Sequence, residues 1–290
     1  MARYISLIGY PLKHSFSPDL HQVVLDHYGL DVRYEKWETQ AEKLPSVINM
    51  LKQPQNLGAN VTVPYKEMVL PLIDEVDDLA KLVGAVNTIV NKDEKLSGFN
   101  TDVYGFLRAL SYDAKFEPAK KRALILGAGG AARAVSFGLL QEKVSYLAIA
   151  NRTQSRAEVL AEFLKSYCIA EGLRVELAVI PWQDLELRKV ECQLIVDCTT
   201  MGMRYSAEGS KSPLSPDVIM KDVLVYDIVY NPLETPLLKM AREAGAKILG
   251  GLPMLVYQGA ASFKLWTGKE APVDIMFAVA KKALLGKSGS

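Results

Sequence analysis

Lys66, in the stretch ANVTVPYKEMVL, and Asp102, in GFNTDVYGF, are two charged residues placed where a proton could be handled. Val61 and Val63 alternate with Asn60 and Thr62, the period-two pattern of a strand with one apolar and one polar face. Pro64 ends that run and suits the first turn of a helix. Lys66 then falls inside that turn, where the macrodipole disfavours a cation by roughly 0.3–1 kcal/mol. An ordinary solvated lysine is one reading, and an ammonium group whose proton is easier to lose is the other. Asp102 follows a strand and enters a helix, a place that welcomes an acid for structural reasons alone. Taken together, the carboxylate would hold the ammonium in place and organise its proton.

Other polar residues sit where a small ligand could be held. GYPLKHSFSPDLHQVV puts Ser15 and Ser17 two apart, just before a helix whose first residue is Pro18. Ser17 before proline is an ordinary N-cap arrangement, whereas Ser15 has no such explanation. Two hydroxyls beside a helix N-terminus could equally receive a carboxylate, helped by free amides. Asn60 and Thr62 lie toward the C-terminal end of their strand, where ligands of open α/β sheets sit. GAVNTIV adds Asn87 on another strand.

A different chemistry is written in ALILGAGGAARAV. The strand runs into Gly127, Gly129 and Ala132, a G-x-G-x-x-A placed directly between strand and helix. Gly127 permits the tight turn, Gly129 lets the backbone approach a pyrophosphate, and Ala132 allows close helix–sheet packing. A merely tight structural turn is the competing reading. For NAD, an acid roughly 20 residues on should bind the ribose 2′-hydroxyl. Here YLAIANRTQSR ends in Asn151, Arg152 and Thr153, with Arg156 following, and offers a guanidinium instead. Arg152 could hold a 2′-phosphate and stack on an adenine ring, with hydroxyls from Thr153 and Ser155. A solvated loop arginine is the bland alternative. The missing acid favours NADP.

The elements that must position these groups alternate between short apolar strands and amphipathic helices, so the class is α/β with largely parallel sheets. In the first half the strands are YISLIG, RYEKWE, ANVTV and AVNTIV, with helices near PDLHQVVLDHYG and EKLPSVINMLK. After the charged connector EPAKKR a fresh series begins: ALILG, YLAIAN, VELAVI, LIVDCT, VLVYDIV and KILGG. Six strands in series is the count of a complete dinucleotide-binding fold. The helices PMLVYQGAASFKLWTG and VDIMFAVAKKALLG have no sheet left to complete, so they are expected to return to the first half. The polar tail KSGS predicts disorder.

Composition narrows the partners. With 49% hydrophobic and 23% charged residues over 290 positions, this is a globular chain of one or two domains. The 34 Lys+Arg against 33 Asp+Glu leave +1, so nothing global attracts nucleic acid or an anionic membrane. No apolar run reaches the roughly 18–20 residues of a membrane span, and no signal peptide is evident. Cys168, Cys192 and Cys198 lack C-x-x-C spacing, which reads as reduced thiols in the cytoplasm. His14, His21 and His27 have no accompanying acids or thiols, so no metal is expected.

In order along the chain, GYPLKHSFSPDLH, NVTVPYKE, GAVNT, NTD, GAGGAARA, NRTQSR, DIVYNPLETPLL and MLVYQGAASF resemble the motifs of the shikimate dehydrogenases. The resemblance extends from Ile8 to about Trp266. It implies an α/β substrate domain over residues 1–102, a doubly wound Rossmann NADP-binding domain over 103–250, and C-terminal helices over 251–290 that complete the first. It also implies reversible reduction of 3-dehydroshikimate with NADPH, on the pathway to chorismate and aromatic amino acids. Lys66 and Asp102 match the proton-transfer dyad, and Ser15 and Ser17 the serines that take the substrate carboxylate. Thr62, Asn87 and Asp102 match groups around the ring hydroxyls and carbonyl, and Tyr230 and Gln258 further substrate contacts. Gly127, Ala128, Gly129, Gly130, Ala131, Asn151, Arg152, Thr153, Arg156, Ile228 and Gly251 match cofactor positions. Asp78 matches an acid near the cofactor, although alone it reads as a solvated helix charge. Two departures stand out: CTTMGM carries Cys198 where the family has Asn, and Pro253 replaces a small residue before M-L-V.

Within the class the rival is a quinate or dual quinate/shikimate dehydrogenase, whose NAD-using relatives tend to carry an acid at the second strand tip. From another class, a dinucleotide-sensing regulatory protein could retain the fold without turnover, and intact Lys66 and Asp102 argue against that. A monomer or a homodimer is expected.

Overall fold

The computed structural model describes residues 3–13, 15–186 and 191–286; His14 and the KSGS tail lie outside the described residues. The chain divides into two compact units, one of residues 1–105 with 256–290 and one of 106–255.

The first unit contains β1 (Arg3–Gly9), β2 (Val32–Glu38), β3 (Asn56–Val61), β4 (Glu75–Val76), β5 (Thr88–Lys92) and β6 (Lys95–Phe99) in one sheet of order β2-β1-β3-β5-β6-β4. β1 runs parallel to β2 and β3, but β5 is antiparallel to both β3 and β6. This sheet is therefore mixed rather than largely parallel. Its reversal is the two-residue turn at Asp93 and Glu94, both at positive φ (53° and 63°), a turn that suits the twist of a hairpin. Because neither is glycine, the sequence carries no obvious sign of it.

Helices α1 (Ser17–His27), α2 (Leu44–Met50) and α3 (Asp78–Val83) belong to this unit. Leu20, Val24 and Leu25 of α1 are almost fully buried, and burying each contributes about 1.5–3 kcal/mol. The chain enters α4 (Asp102–Tyr112) at its far edge and returns in α8 (Leu252–Thr267) and α9 (Val273–Gly286). α9 packs along α1, and Trp266 of α8 donates its indole N–H to the Ile89 carbonyl at 2.8 Å. That bond fastens α8 to β5.

The second unit is wholly parallel. β7 (Arg122–Leu126), β8 (Tyr146–Ala150), β9 (Glu176–Val179), β10 (Leu194–Asp197), β11 (Leu224–Asp227) and β12 (Lys247–Leu249) form the order β12-β11-β10-β7-β8-β9. Every strand read from the sequence in this half is present. With α5 (Gly130–Gln141), α6 (Gln154–Ala170) and α7 (Pro236–Glu243), this is the doubly wound Rossmann order, whose reversal falls between β7 and β10. β8, β10 and β11 are buried along their whole length, as strands covered on both faces must be.

Candidate active site

The topology of the first sheet gathers chemistry at one edge. The C-terminal ends of β1, β3 and β6 and the start of β5 are neighbours there, because Thr88 pairs with both Asn60 and Phe99. Thr62 follows β3 directly and donates its N–H to the Ile8 carbonyl at 2.9 Å. A Cβ on Gly9 would stand 2.4 Å from the Thr62 methyl, so only glycine lets the two chain segments approach this closely.

Lys66 does not lie in the first turn of a helix. A helix would need the Lys66 carbonyl to accept from Leu70, but Leu70 bonds to Glu67 and the Lys66 carbonyl accepts from Val86 N–H at 2.7 Å. This tertiary bond holds residues 62–69 as successive turns, so no dipole of a local helix acts on Lys66. Its place is set by Asp102 instead. Nζ lies 2.6 Å from Asp102 Oδ2, with side-chain exposures of 16% for the lysine and 4% for the acid.

Asp102 opens α4, yet Asn100 does the capping, accepting from the backbone N–H of Asp102 and Val103. The Asp102 carboxylate is thereby left for side chains. Its Oδ1 accepts from Asn87 Nδ2 at 2.9 Å, and the same amide reaches Thr101 Oγ1 at 2.8 Å and Gln258 Oε1 at 3.2 Å. Lys66, Asn87, Asp102 and Gln258 thus form one connected group.

Behind it lies a buried polar layer that sequence reasoning missed. Ser262 Oγ is 2.7 Å from Thr88 Oγ1 and 3.1 Å from Thr101 Oγ1, and it accepts from Asn60 Nδ2 at 3.1 Å. Asn60, read as facing a ligand, is spent here, with Tyr34 donating to its Oδ1 at 2.7 Å. Tyr34 stacks on His21, whose burial pushes its pKa down to about 3 and keeps the ring neutral. The Ser262 hydroxyl, one turn after Gln258 in the largely apolar α8, was the legible sign of this layer.

Ser15 and Ser17 are adjacent at the start of α1, their hydroxyls 3.3 Å apart. The helix begins at Ser17 itself, one residue before the expected Pro18, and its Phe16 cap makes no side-chain bond. The Ser15 hydroxyl accepts from Ser17 N–H at 3.3 Å, so Ser15 is the one that faces the helix start. Asp78 opens α3 as an exposed acid 3.1 Å from Lys81, and no hydrogen bond joins it to the polar group around Asp102. Among the described residues, no three His, Cys, Asp or Glu gather as metal ligands.

In the second unit, Gly127 ends β7 with φ +109° and Ala128 is buried behind it. A Cβ on Gly127 would stand 3.1 Å from the Cys198 carbonyl at the end of β10, so glycine is required where the sheet order reverses. Gly129 differs: an added Cβ would meet nothing within 4 Å. Open space therefore borders the unpaired amides of Gly130 and Ala131 at the head of α5, which suits a pyrophosphate.

At the tip of β8, Asn151 donates to the Thr153 carbonyl at 2.8 Å; Thr153 precedes α6 without a side-chain cap bond, its carbonyl accepting from Arg156 N–H at 3.0 Å. Arg152 is exposed and ion-paired with Glu208 at 2.8 Å, a residue the motifs did not mark. Beyond β11, Gly251 N–H donates to the Val229 carbonyl, and a Cβ there would be 2.0 Å from the Ile228 carbonyl. Gly251 and Ile228 are therefore in backbone contact, and Tyr230 is half-buried two residues on.

Two buried acids support this rim. Asp197 and Asp227 end adjacent strands in register. Asp197 Oδ1 accepts from Thr199 N–H at 2.8 Å, and Asp227 accepts from Val229 N–H at 2.9 Å and Thr235 Oγ1 at 2.5 Å. Burial raises the Asp197 carboxyl well above the usual carboxylate range, and the Asp227 charge adds to it. Burial likewise raises Asp227, to about 6, against the hydrogen bonds from Thr235 and Val229.

Comparison with known proteins agrees with both halves. Residues 7–89 match the shikimate dehydrogenase substrate binding domain, 112–199 the shikimate / quinate 5-dehydrogenase family, and 251–281 the shikimate 5'-dehydrogenase C-terminal domain. A relative from Moorella thermoacetica named shikimate dehydrogenase (NADP(+)) is 44% identical over 287 residues, covering 98% of this chain and 95% of its own length. A solved shikimate dehydrogenase in complex with NADP+ is 37% identical, with a TM-score of 0.87 over 98% of this chain and 96% of its own. The Thermus thermophilus enzyme in complex with NADP(H) and shikimate is also 37% identical, with a TM-score of 0.83 over 97% of this chain and 100% of its own. With identity spread across both units at this level, the chain belongs to the shikimate dehydrogenase family.

Proposed function

We propose that this chain catalyses the reversible NADPH-dependent reduction of 3-dehydroshikimate to shikimate, the step of the shikimate pathway that leads on to chorismate and aromatic amino acids. The observation that carries the reading is the half-buried Lys66–Asp102 pair, tied through Asn87 to Gln258. Residues 1–102 with 251–290 hold the substrate, and residues 103–250 hold the cofactor.

Reduction of a ring ketone needs a hydride at the carbonyl carbon and a proton at its oxygen, and bound NADPH supplies the hydride. Lys66 gives the proton to the forming alkoxide and takes it back from the hydroxyl in reverse. Asp102 holds the ammonium in one place, and Asn87 fixes the carboxylate that does so. Ser15 and Ser17 receive the substrate carboxylate at the α1 terminus. Thr62, Asn87 and Asp102 bind ring hydroxyls, with Gln258 and Tyr230 as further contacts. The amides of residues 127–131 hold the pyrophosphate, and Arg152 with Thr153 the 2′-phosphate. Asn151 and Arg156 stand beside them. Ile228 and Gly251 are further cofactor positions, and Asp78 contributes an acid from the substrate half.

The protein works in the cytoplasm as a monomer or homodimer, without nucleic acid or membrane. No described helix is long and apolar enough to cross a membrane. A spectrophotometric assay crossing shikimate and quinate with NADP⁺ and NAD⁺ tests the whole reading. Fastest turnover with shikimate and NADP⁺ is expected. Preference for quinate would transfer the chain to that activity, and absence of turnover with every pair would leave a dinucleotide-binding regulator.

A further inference from the structure

Arg152 is already engaged. Its Nη1 donates to both carboxylate oxygens of Glu208, at 2.8 and 2.9 Å. Of the two partners the acid is the better held, with a side chain 24% exposed against 58% for the arginine. The backbone of its loop explains why. The Glu208 carbonyl accepts from the N–H groups of Gly202 and Lys211, each at 3.0 Å. A Cβ on Gly209 would stand 2.8 Å from the Met203 carbonyl, so the loop closes tightly on itself just past the acid. Lys211 Nζ, 3.8 Å from the same carboxylate, adds a second cation to the group.

We infer that Glu208 sets how strongly this chain distinguishes a dinucleotide with a 2′-phosphate from one with a bare 2′-hydroxyl, by competing for Arg152. The inference rests on the reading of Arg152 as the cation for the 2′-phosphate. A phosphate monoester carries between one and two negative charges near neutral pH. To reach the guanidinium it must displace the carboxylate or stand beside it, and either weakens its binding. A bare hydroxyl meets no such opposition and has an O–H to donate to Glu208. Glu208 thus supplies, from the loop after β10, the acid that the tip of β8 lacks. Both effects have one sign, a narrowed preference for the phosphorylated cofactor.

The test measures dissociation constants of NADP⁺ and NAD⁺ by titration calorimetry for the parent chain, Glu208→Gln, Arg152→Ala and the double variant. Glutamine keeps the shape of the side chain on an exposed loop and removes its charge. NADP⁺ should bind Glu208→Gln roughly three- to tenfold more tightly, the size of a released surface pair plus relieved like-charge repulsion, with NAD⁺ unchanged or weaker. In the Arg152→Ala background the same substitution should give a clearly smaller gain, limited to the direct repulsion between carboxylate and phosphate. An unaltered or narrowed NADP⁺/NAD⁺ ratio in Glu208→Gln, with Arg152→Ala still losing NADP⁺ selectively, overturns the role of Glu208 and leaves Arg152 standing. A gain as large without Arg152 as with it also overturns it. If Arg152→Ala binds NADP⁺ as the parent does, the assignment of Arg152 is itself wrong.

Discussion

Lys66 and Asp102 are 36 residues apart in the chain and 2.6 Å apart in the fold. The pair is sheltered enough that its geometry is fixed, yet Lys66 keeps some exposure through which a ligand can approach. If Lys66 transfers the proton, Lys66→Ala should cut turnover by roughly 10²–10⁴-fold, the contribution of a positioned acid or base. NADP⁺ affinity should stay near that of the parent. Lys66→Arg should not restore turnover, because a guanidinium is effectively never deprotonated. Near-normal turnover of Lys66→Ala at saturating shikimate would end the assignment.

Asp102→Ala should impair both turnover and substrate binding, since the carboxylate anchors Lys66 and Asn87 together. Removing both members should cost less than the product of the single effects, because the two act as a unit. Steady-state kinetics of the four variants in a cycle measure this. Strict multiplicativity would mean that the two act independently.

Arg152→Ala should raise the Michaelis constant for NADP⁺ far more than that for NAD⁺. A charge-assisted hydrogen bond of about 1.5–3 kcal/mol implies roughly a tenfold to hundredfold change, reduced by whatever Glu208 already takes. Equal weakening of both cofactors would remove Arg152 from the 2′-phosphate.

The carboxyls of Asp197 and Asp227 make stability depend on pH in an unusual direction. Both are raised above the ordinary value of 3.8, Asp227 to about 6. Between these values the folded chain holds a proton on Asp227 that the unfolded chain has released, so that contribution is full below about pH 4 and is lost as pH rises through about 6, and the Asp197 contribution falls in the same direction. Asp197→Asn removes the Asp197 part of that dependence. Its melting temperature relative to the parent should therefore rise from about pH 4.5 to about pH 7.5. A difference that stays flat across that range would show that the pair is not linked to folding through protons.

The two halves were not equally legible. Strands covered on both faces have to be apolar throughout, so β7, β8, β10 and β11 announce themselves, and the glycines after β7 fix the turn. The β5–β6 hairpin was missed because Asp93 and Glu94 take positive φ without being glycine. Pro64 and the residues after it have a helix-like composition, and what overrides it is a single bond from Val86, distant in sequence. Lys66 and Asp102 were found by residue type and motif, but Thr88, Thr101 and Ser262 look like common hydroxyls until folding buries them together. The pairing of Arg152 with Glu208 joins two loops, and loops have no periodicity to read.

Ser262→Ala tests that hidden layer. It would leave Asn60, Thr88 and Thr101 each short of one partner in a buried setting while each keeps a bond to Asn87, so the cost should be that of lost hydrogen bonds, about 0.5–1.5 kcal/mol each. Urea unfolding should show a clear loss of stability, and an unchanged midpoint would mean that the neighbours re-pair.

Order of synthesis gives the returning helices another meaning. The strands of the first unit leave the ribosome well before Gln258, Ser262 and Trp266, which close its polar layer and cap the Ile89 carbonyl. A nascent chain halted in the second unit would carry Lys66 and Asp102 but expose Asn60, Thr88 and Thr101 to water, with the hydrophobic face of α1 uncovered by α9. Completion of the reactive group is thus deferred until α8 is made, after every strand of the second unit. Truncated products would be inert and open to proteolysis rather than partly active.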